Sequence, residues 1–269
     1  MKKMRILKFL KKDILIFITG LTLVSYPVIS NYMESREQAD QIDTYNSSVS
    51  ELSRANKQLM LNEAHEWNDN LYSKEKGLPE DSGLEYENVL DLGNGVIGTV
   101  EIPKIKVNMP VYHGTDSDVL NVGAGHLEDS SLPVGGNNTH TVLTGHRGLP
   151  SSKLFTRLDE LKKGDLFFIK IIDETFAYKI NKIEVVLPDK VSYSIIDNQD
   201  LATLITCTPY GLNTHRLVIT GKRVPYKKKE KKSIKSSMPS LREIIFYVIP
   251  VLFSVAGILF FRKRGVKNV

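Results

Sequence analysis

Residues 201–207 read LATLITC and residues 216–220 read RLVIT, and the segment between these two runs contains proline, glycine and asparagine. Aliphatic and β-branched residues favour strands, whereas the intervening residue types favour a turn. We therefore predict a β-hairpin that places Cys207 and Arg216 at facing strand ends.

Cys207 is the only cysteine among the 269 residues. A single thiol cannot form an internal disulfide, and it is too few for a cysteine-rich zinc or iron–sulfur site. Two interpretations remain, an inert packed side chain and a nucleophile. We favour the nucleophile, because the apolar segments near the chain ends place this thiol outside a membrane, where an unused free cysteine is a liability.

Short apolar runs separated by turn residues continue through the second half of the chain. Many short strands divided in this way predict an all-β barrel or sandwich. We expect one short helix at about 152–161. The predicted strands are 96–102, 107–112, 140–145, 166–172, 175–187, 201–207 and 216–223.

The residues before the first predicted strand divide into two segments. Residues 34–72 carry little glycine or proline, and apolar residues such as Val49 and Leu52 recur three or four positions apart. This spacing predicts one or two amphipathic helices. Residues 73–95 are rich in glycine, proline, asparagine and acidic residues, a composition typical of a long loop.

Two uncharged apolar stretches, 14–33 and 244–261, lie near the chain ends. Each is long enough to cross a hydrocarbon core of about 30 Å as a helix. Basic residues precede the first and follow the second, so we predict that both ends are cytoplasmic and the middle is external. A cleaved signal peptide is the alternative for the first stretch. The lysines at 227–235 oppose this orientation for the second.

The net charge of +5 owes much to the basic tails and does not predict nucleic-acid binding. An external domain would meet no nucleic acid. The external part is large enough for one domain with its own core. The lysines at 227–235 either contact anionic membrane lipid or cell-wall polymer, or form a solvated linker, and we favour the linker.

A thiol attacks only as the thiolate, so a catalytic cysteine needs a neighbour that takes or balances its proton. His146 is the preferred histidine, because it ends an apolar run and has glycine next to it and two residues away in TGHRG at 144–148. The alternatives are His65 in the helical segment, His113 and His126 in glycine-containing loops, His140 inside a strand, and His215 beside Arg216.

Arg216 is the third candidate. Acyl transfer from an amide passes through an oxyanion, which a fixed guanidinium can stabilise. The predicted hairpin lets the side chains of Arg216 and Cys207 converge on one cleft. The alternative is that Arg216 is an ordinary surface arginine. We favour the catalytic interpretation, because the same hairpin carries the only thiol.

Three motifs together resemble the sortase family: TLITC at 203–207, THRL at 214–217 and TGHRG at 144–148. The family pattern around the nucleophile is TLxTC. The sequence GTVEIPKI at 98–105 is similar to the first strand of the family's barrel. The resemblance covers about residues 95–225.

The resemblance implies a closed eight-stranded β-barrel and a catalytic site of His146, Cys207 and Arg216, with neither metal nor organic cofactor. The second apolar stretch and the sequence TGHRGLP are similar to the class C, pilus-assembling branch. The implied organisation is a tail and membrane anchor at 1–33, a helical extension with a lid-like loop at 34–95, the barrel at 96–225, a basic linker at 226–243 and a membrane helix with its tail at 244–269.

One departure from the family pattern concerns the lid. Pilus-assembling sortases usually carry an Asp-Pro-aromatic motif before the barrel, which lies over the cysteine. The nearest fragment here, DNLY at 69–72, has no proline. The lid is therefore absent, differently built or held by other residues, and the loop at 73–95 is a candidate to cover the cleft.

The resemblance implies a membrane-anchored transpeptidase of a Gram-positive envelope. It would cleave an LPxTG-type sorting signal through a thioacyl enzyme and join the product to a lysine amine of a pilin subunit. Alternatives are a sortase that attaches surface proteins to peptidoglycan, a cysteine peptidase that uses water, and a non-catalytic membrane-anchored binding module in which Cys207 is structural.

Overall fold

The computed structural model describes residues 2–79, 83–148 and 152–266. The helices are α1 (Lys2–Glu51), α2 (Arg54–Lys76), α3 (Ser117–Val122), α4 (Lys228–Ser233) and α5 (Leu241–Val266). The strands are β1 (Val96–Ile102), β2 (Val107–His113), β3 (Ala124–His126), β4 (Thr139–Thr144), β5 (Leu166–Ile171), β6 (Glu174–Val186), β7 (Asp200–Thr208) and β8 (His215–Val224).

The strands close into a barrel in the order β1-β2-β3-β4-β7-β8-β6-β5. The pairs β2–β3 and β4–β7 are parallel, and the other neighbouring pairs are antiparallel. The expected eight-stranded barrel is confirmed. Each strand predicted from its apolar run is found within one residue of its predicted ends.

Two short elements differ from the expectation. The strand β3 is not predicted from the sequence, because its three residues are too few to show alternation. His126 ends this strand and does not lie in a loop. The helix expected at 152–161 is reduced to a 3₁₀ turn at Leu158–Glu160, and the Phe155 N–H bonds to the carbonyl of His146.

The helical segment before the barrel is present as the end of α1 and all of α2. Ser53 caps α2 by accepting a hydrogen bond from the Asn56 N–H at 3.1 Å. Gly77 ends the helix in the left-handed conformation with φ of 67°. The helix therefore runs into the predicted loop, which also holds a 3₁₀ turn at Tyr86–Asn88.

Two buried polar side chains attach these helices to the barrel. The Tyr45 hydroxyl donates to the Ile97 carbonyl at 3.1 Å and accepts from the Ile172 N–H at 2.7 Å, and burial raises the pKa of Tyr45 to about 12. Asn68 exchanges two hydrogen bonds with the backbone of Leu132, at 3.0 and 2.7 Å. The extension is thus part of the same compact unit as the barrel, Ser35–Ser237.

His126 is fully buried, and its contact with Tyr86 anchors the segment that precedes β1. Its Nδ1 lies 2.8 Å from the Tyr86 hydroxyl, and its Nε2 lies 2.9 Å from the Ser131 carbonyl. A carbonyl only accepts, so Nε2 carries the proton and Nδ1 accepts from Tyr86. The neutral ring satisfies both partners. Burial lowers the pKa of His126 from 6.5 to about 4.

We expect acid to destabilise the protein through this histidine. Between pH 6.5 and about 4, the unfolded chain binds a proton at His126 that the folded chain does not. The free energy of unfolding therefore falls as pH falls through this window, by up to about 3 kcal/mol. Burial also lowers the pKa of His113 and His140, which act in the same direction.

Urea unfolding at several pH values would measure this effect in the wild-type chain and in His126→Gln. The variant lacks the titrating ring, so its unfolding free energy should change less between pH 6.5 and 4. Equal pH slopes for the two proteins would contradict the assignment.

The second compact unit contains the chain up to Glu34 and from Met238 onward. Its two helices are long and apolar enough to cross a membrane. Phe17 stacks on Phe253 with ring centroids 5.2 Å apart. A Cβ on Gly257 would meet the Phe17 ring, and a Cβ on Gly20 would meet the Phe253 ring. The pairing of 17 with 257 and of 20 with 253 makes the helices antiparallel.

The lysine-rich segment 227–235 contacts the barrel. The Lys231 ammonium pairs with Glu101 at 2.6 Å and lies 5.2 Å from the centroid of the Phe168 ring. Two residues after this segment, the Ser237 N–H donates to the Lys104 carbonyl at 2.7 Å. The other lysines of the segment are exposed.

Candidate active site

The hairpin of β7 and β8 brings Cys207 and Arg216 together. These residues are direct partners in the antiparallel register, as are Thr208 and His215 next to them. Side chains of directly opposed residues lie on the same face of a sheet. Cys207 and Arg216 are both half-buried, so a substrate can reach them.

The strand β4 brings His146 to the same end of the sheet. It runs parallel to β7, with Thr144 opposite Ile205, and the Gly145 N–H donates to the Ile205 carbonyl at 3.1 Å. His146 and Cys207 each lie two residues beyond the pair of Thr144 and Ile205, so this register places them level with each other. The sheet therefore gathers the three predicted site residues at adjacent strand ends.

Cys207 and Arg216 lie at one end of a continuous face of the sheet. Side chains two residues apart on a strand point to the same side, so alternate residues of each strand belong to this face. The face carries His140, Val142 and Thr144 on β4, Leu201, Thr203, Ile205 and Cys207 on β7, and Arg216, Val218 and Thr220 on β8.

A groove of about 320 Å³ lies on this face. Leu201, Val218 and Thr220 belong to its lining, and residues of the loop 187–199, which joins β6 to β7, form a wall. Val142, Ile205 and Val218 form a buried apolar cluster on the same face. The groove lining mixes polar side chains, such as Ser192 and Thr220, with apolar ones, such as Ile196 and Leu201. An extended peptide segment would fit this groove, with Cys207 and Arg216 at its end.

The Sortase domain family matches residues 100–224. Among solved structures, sortase C1 from Streptococcus agalactiae superposes with a TM-score of 0.66 at 41% identity, over 70% of this chain and 100% of that one. The chain belongs to the sortase family. This membership confirms the predicted family and the predicted type of barrel.

Two further relatives are similar to this chain. Sortase C from Clostridium perfringens, solved with the C-terminal cell wall sorting motif, has a TM-score of 0.61 and 38% identity, over 70% of this chain and 100% of that one. Sortase D of Bacillus subtilis (strain 168) is 37% identical over 47% of this chain, and the match spans 63% of that protein. The solved neighbours of this sortase are class C sortases, as predicted.

A double clamp holds the histidine loop of this sortase to the cysteine strand. Thr206 Oγ1 donates to the Gly145 carbonyl at 2.7 Å, and Arg147 Nη1 donates to Thr208 Oγ1 at 2.8 Å. The residues on either side of Cys207 thus bind the residues on either side of His146. The Arg147 guanidinium is buried and also pairs with Asp159.

The sequence does not predict the clamp, because its members are about 60 positions apart. The one local signal is glycine at position 145. A Cβ there would lie 2.8 Å from the ring of Phe155, so the close approach of this ring requires glycine. Arg147 is part of the TGHRG motif, but a basic residue after a histidine has no defined partner in sequence.

The other five histidines occupy other positions, and one of them, His215, lies next to Arg216 and opposite Thr208. The rings of His113 and His126 bond to the Val89 and Ser131 carbonyls, at 2.9 Å each. His140 bonds to the Ser194 carbonyl at 3.0 Å and to Thr203 Oγ1 at 2.7 Å. His65 is exposed on α2, and His215 lies beside Thr214. None of them lies level with Cys207 beyond the end of β4.

The helix α2 ends far from the cysteine. The Lys76 ammonium pairs with Asp197 at 2.8 Å, just before β7 begins at Asp200. Cys207 lies seven residues further along this strand, which corresponds to about 23 Å. The loop predicted at 73–95 includes 80–82, which fall outside the described residues, so covering of the cleft stays a prediction.

The side chains that commonly ligate metals are dispersed. Among residues 2–79, 83–148 and 152–266, no group of three or more histidine, cysteine, aspartate or glutamate side chains is placed to hold a metal ion.

Proposed function

We propose that this sortase is a transpeptidase that cleaves an LPxTG-type sorting signal and transfers it to a lysine amine of a pilin subunit. One observation carries the proposal. His146, Cys207 and Arg216 stand at adjacent strand ends, at the head of the face that bears the groove.

In the first half-reaction, the Cys207 thiolate attacks the carbonyl carbon of the Thr–Gly amide. The oxyanion that forms accepts hydrogen bonds from the Arg216 guanidinium, which the register places opposite Cys207. The C–N bond then breaks. His146, as the imidazolium, gives its proton to the leaving glycine amine, and the acyl group stays on sulfur as a thioester.

In the second half-reaction, a lysine amine attacks the thioester carbonyl. His146, now neutral, accepts the proton that the amine loses. The C–S bond breaks, the new amide is an isopeptide, and the thiolate is restored. Two half-reactions of this kind replace one difficult amide exchange, which is the usual gain of covalent catalysis.

The choice of a pilin lysine as acceptor is supported by the branch of the family. The solved neighbours are sortases C, and the crystal structure of one, from Streptococcus pneumoniae, bears on pilin substrate specificity. Attachment of surface proteins to a peptidoglycan amine is the second candidate, because curated relatives include sortases A. Covalent high-mass ladders on cells, lost in Cys207→Ala, would favour pilin polymerisation.

A mass measurement tests the proposal. The full chain, in lipid nanodiscs under reducing conditions, is incubated with an LPxTG peptide and its intact mass is recorded. We expect an adduct equal to the peptide segment that ends in threonine, together with release of the glycine fragment. Peptide binding without an adduct would overturn the proposal in favour of a binding module.

An acceptor added to the same mixture separates transfer from hydrolysis. A pilin fragment bearing the acceptor lysine should consume the adduct faster than water does and give an isopeptide product. Consumption by water at the same rate would indicate a cysteine peptidase.

We also propose that membrane lipid surrounds the two apolar helices and that the barrel is external. The antiparallel pairing of Phe17 with Gly257 supports one orientation for the pair, with both chain ends on the same side. The basic residues before the first apolar stretch favour the cytoplasm for that side. Substrate proteins that carry membrane anchors would then meet the enzyme at raised effective concentration.

A further inference from the structure

The loop 187–199 joins β6 to β7 and forms one wall of the groove. Lys190, Ser192, Ser194 and Ile196 belong to the groove lining. Val191 and Tyr193 pack against the apolar cluster on the sheet face. The position of this loop therefore sets the width of the groove.

The helix α2 holds the far half of this loop. Both carboxylate oxygens of Glu75 accept from the Ile195 N–H, at 3.1 and 3.2 Å. The Lys76 ammonium pairs with Asp197 at 2.8 Å, and the Tyr72 hydroxyl donates to the same carboxylate at 3.3 Å. Three side chains near the end of α2 thus contact two positions of the loop, Ile195 and Asp197.

The sheet holds the same half from the other side. His140 bonds to the Ser194 carbonyl at 3.0 Å, and the Asn138 side chain accepts from the Asn198 N–H at 2.7 Å. The helix is itself fixed, because Asn68 bonds to the backbone of Leu132. Residues 194–198 are therefore held between a fixed helix and β4.

The contact through Glu75 differs in its chemistry from the other helical contacts. A carboxylate that accepts from a backbone N–H forms a charge-assisted hydrogen bond. The pair of Lys76 and Asp197 is largely exposed, and exposed ion pairs contribute little. Removal of the Glu75 carboxylate would leave the partly buried Ile195 N–H without its acceptor.

We propose that Glu75, with Tyr72 and Lys76, is a brace that positions the loop 187–199 for sorting-signal binding. The N-terminal extension then has a role in substrate affinity that is separate from any covering of the cysteine. The part of the inference that concerns the substrate rests on the proposed function, whereas the brace itself is a property of the fold. Glu75 is a positioning residue, since it lines neither the groove nor the strand ends.

Two variants of α2 test the brace in the full chain in nanodiscs. Glu75→Ala removes the acceptor at Ile195. Lys57→Ala is the matched control, because it removes a different ion pair between α2 and the barrel, with Asp173 at 2.7 Å, away from the loop. Hydrogen exchange at 190–199 and steady-state cleavage of an LPxTG peptide are measured for each.

We expect exchange at Ile195 to be about tenfold faster in Glu75→Ala, since its N–H loses a charged acceptor. The KM for the peptide should rise about fivefold or more with kcat little changed, as for a loss of binding alone. Lys57→Ala should match the wild type in both measurements. Glu75→Gln, which keeps one acceptor oxygen, should lie between the two.

Each result supports or overturns a defined part of the brace proposal. Unchanged exchange in Glu75→Ala overturns the brace. Faster exchange with an unchanged KM overturns its role in substrate binding, and an equal rise of KM in Lys57→Ala overturns its specificity. If the wild-type chain forms no thioester, the proposed function is overturned. The exchange measurement still tests whether Glu75 holds the loop.

Discussion

Replacement of Cys207 by alanine should abolish the thioester and lower turnover of an LPxTG peptide by more than about 10³-fold. The reason is that Cys207 is the only thiol of the chain, so no second sulfur can take over the attack. Intact mass after incubation with peptide, and steady-state cleavage, measure the two effects. The variant should bind peptide as the wild type does, because the groove lining does not include this residue.

A second variant separates proton transfer from attack. His146→Ala keeps the sulfur but removes the imidazole at its level, and we expect turnover to fall by about 10²–10⁴-fold. His65→Ala is the control, because its ring is exposed on α2 and belongs neither to the strand ends nor to the groove lining. A covalent peptide adduct on the Cys207→Ala variant, or equal losses in the two histidine variants, would contradict the assignment.

Replacement of Arg216 by alanine should lower kcat by about 10²–10³-fold, the usual cost of removing one oxyanion donor. KM should change little, because the interaction forms as charge develops on the carbonyl oxygen. Arg216→Lys keeps the charge but not the planar fork, so its kcat should lie between those of the alanine variant and the wild type. Single-turnover rates of thioester formation measure the effect without the acceptor step.

The matched control for Arg216 lies on the same strand. Lys222 is exposed on β8, at the opposite end from Arg216. Lys222→Ala should therefore leave kcat unchanged. A loss in Arg216→Ala that appears only in KM would assign this arginine to ground-state binding and not to the oxyanion.

Much of the barrel is predictable from local sequence. Seven strands show runs of apolar residues bounded by turn residues, and their side-chain period of two requires no tertiary knowledge. The pairing of Cys207 with Arg216 is also accessible, because a hairpin joins neighbours in sequence. β3 is different: its three residues pair with β2 and β4, and only that pairing makes them a strand.

The contacts that position the site residues and the loop cannot be predicted from local sequence patterns. The parallel register of β4 and β7 places His146 level with Cys207, yet β5 and β6 lie between these two strands in sequence. The bond from Glu75 to Ile195 spans 120 positions, and neither residue carries a local signal for the other. Periodicity predicts that α2 forms, and not which loop its last turn holds.

The clamp between the histidine loop and the cysteine strand has a consequence for chimeric enzymes. Residues 145–147 and 206–208 share two hydrogen bonds that cross the sheet, and Asp159 completes the arrangement. A hybrid that takes one of these segments from a different homologue would inherit half of a matched set. Recombination breakpoints placed between them should be poorly tolerated, so the two segments and Asp159 are best transplanted as a single block.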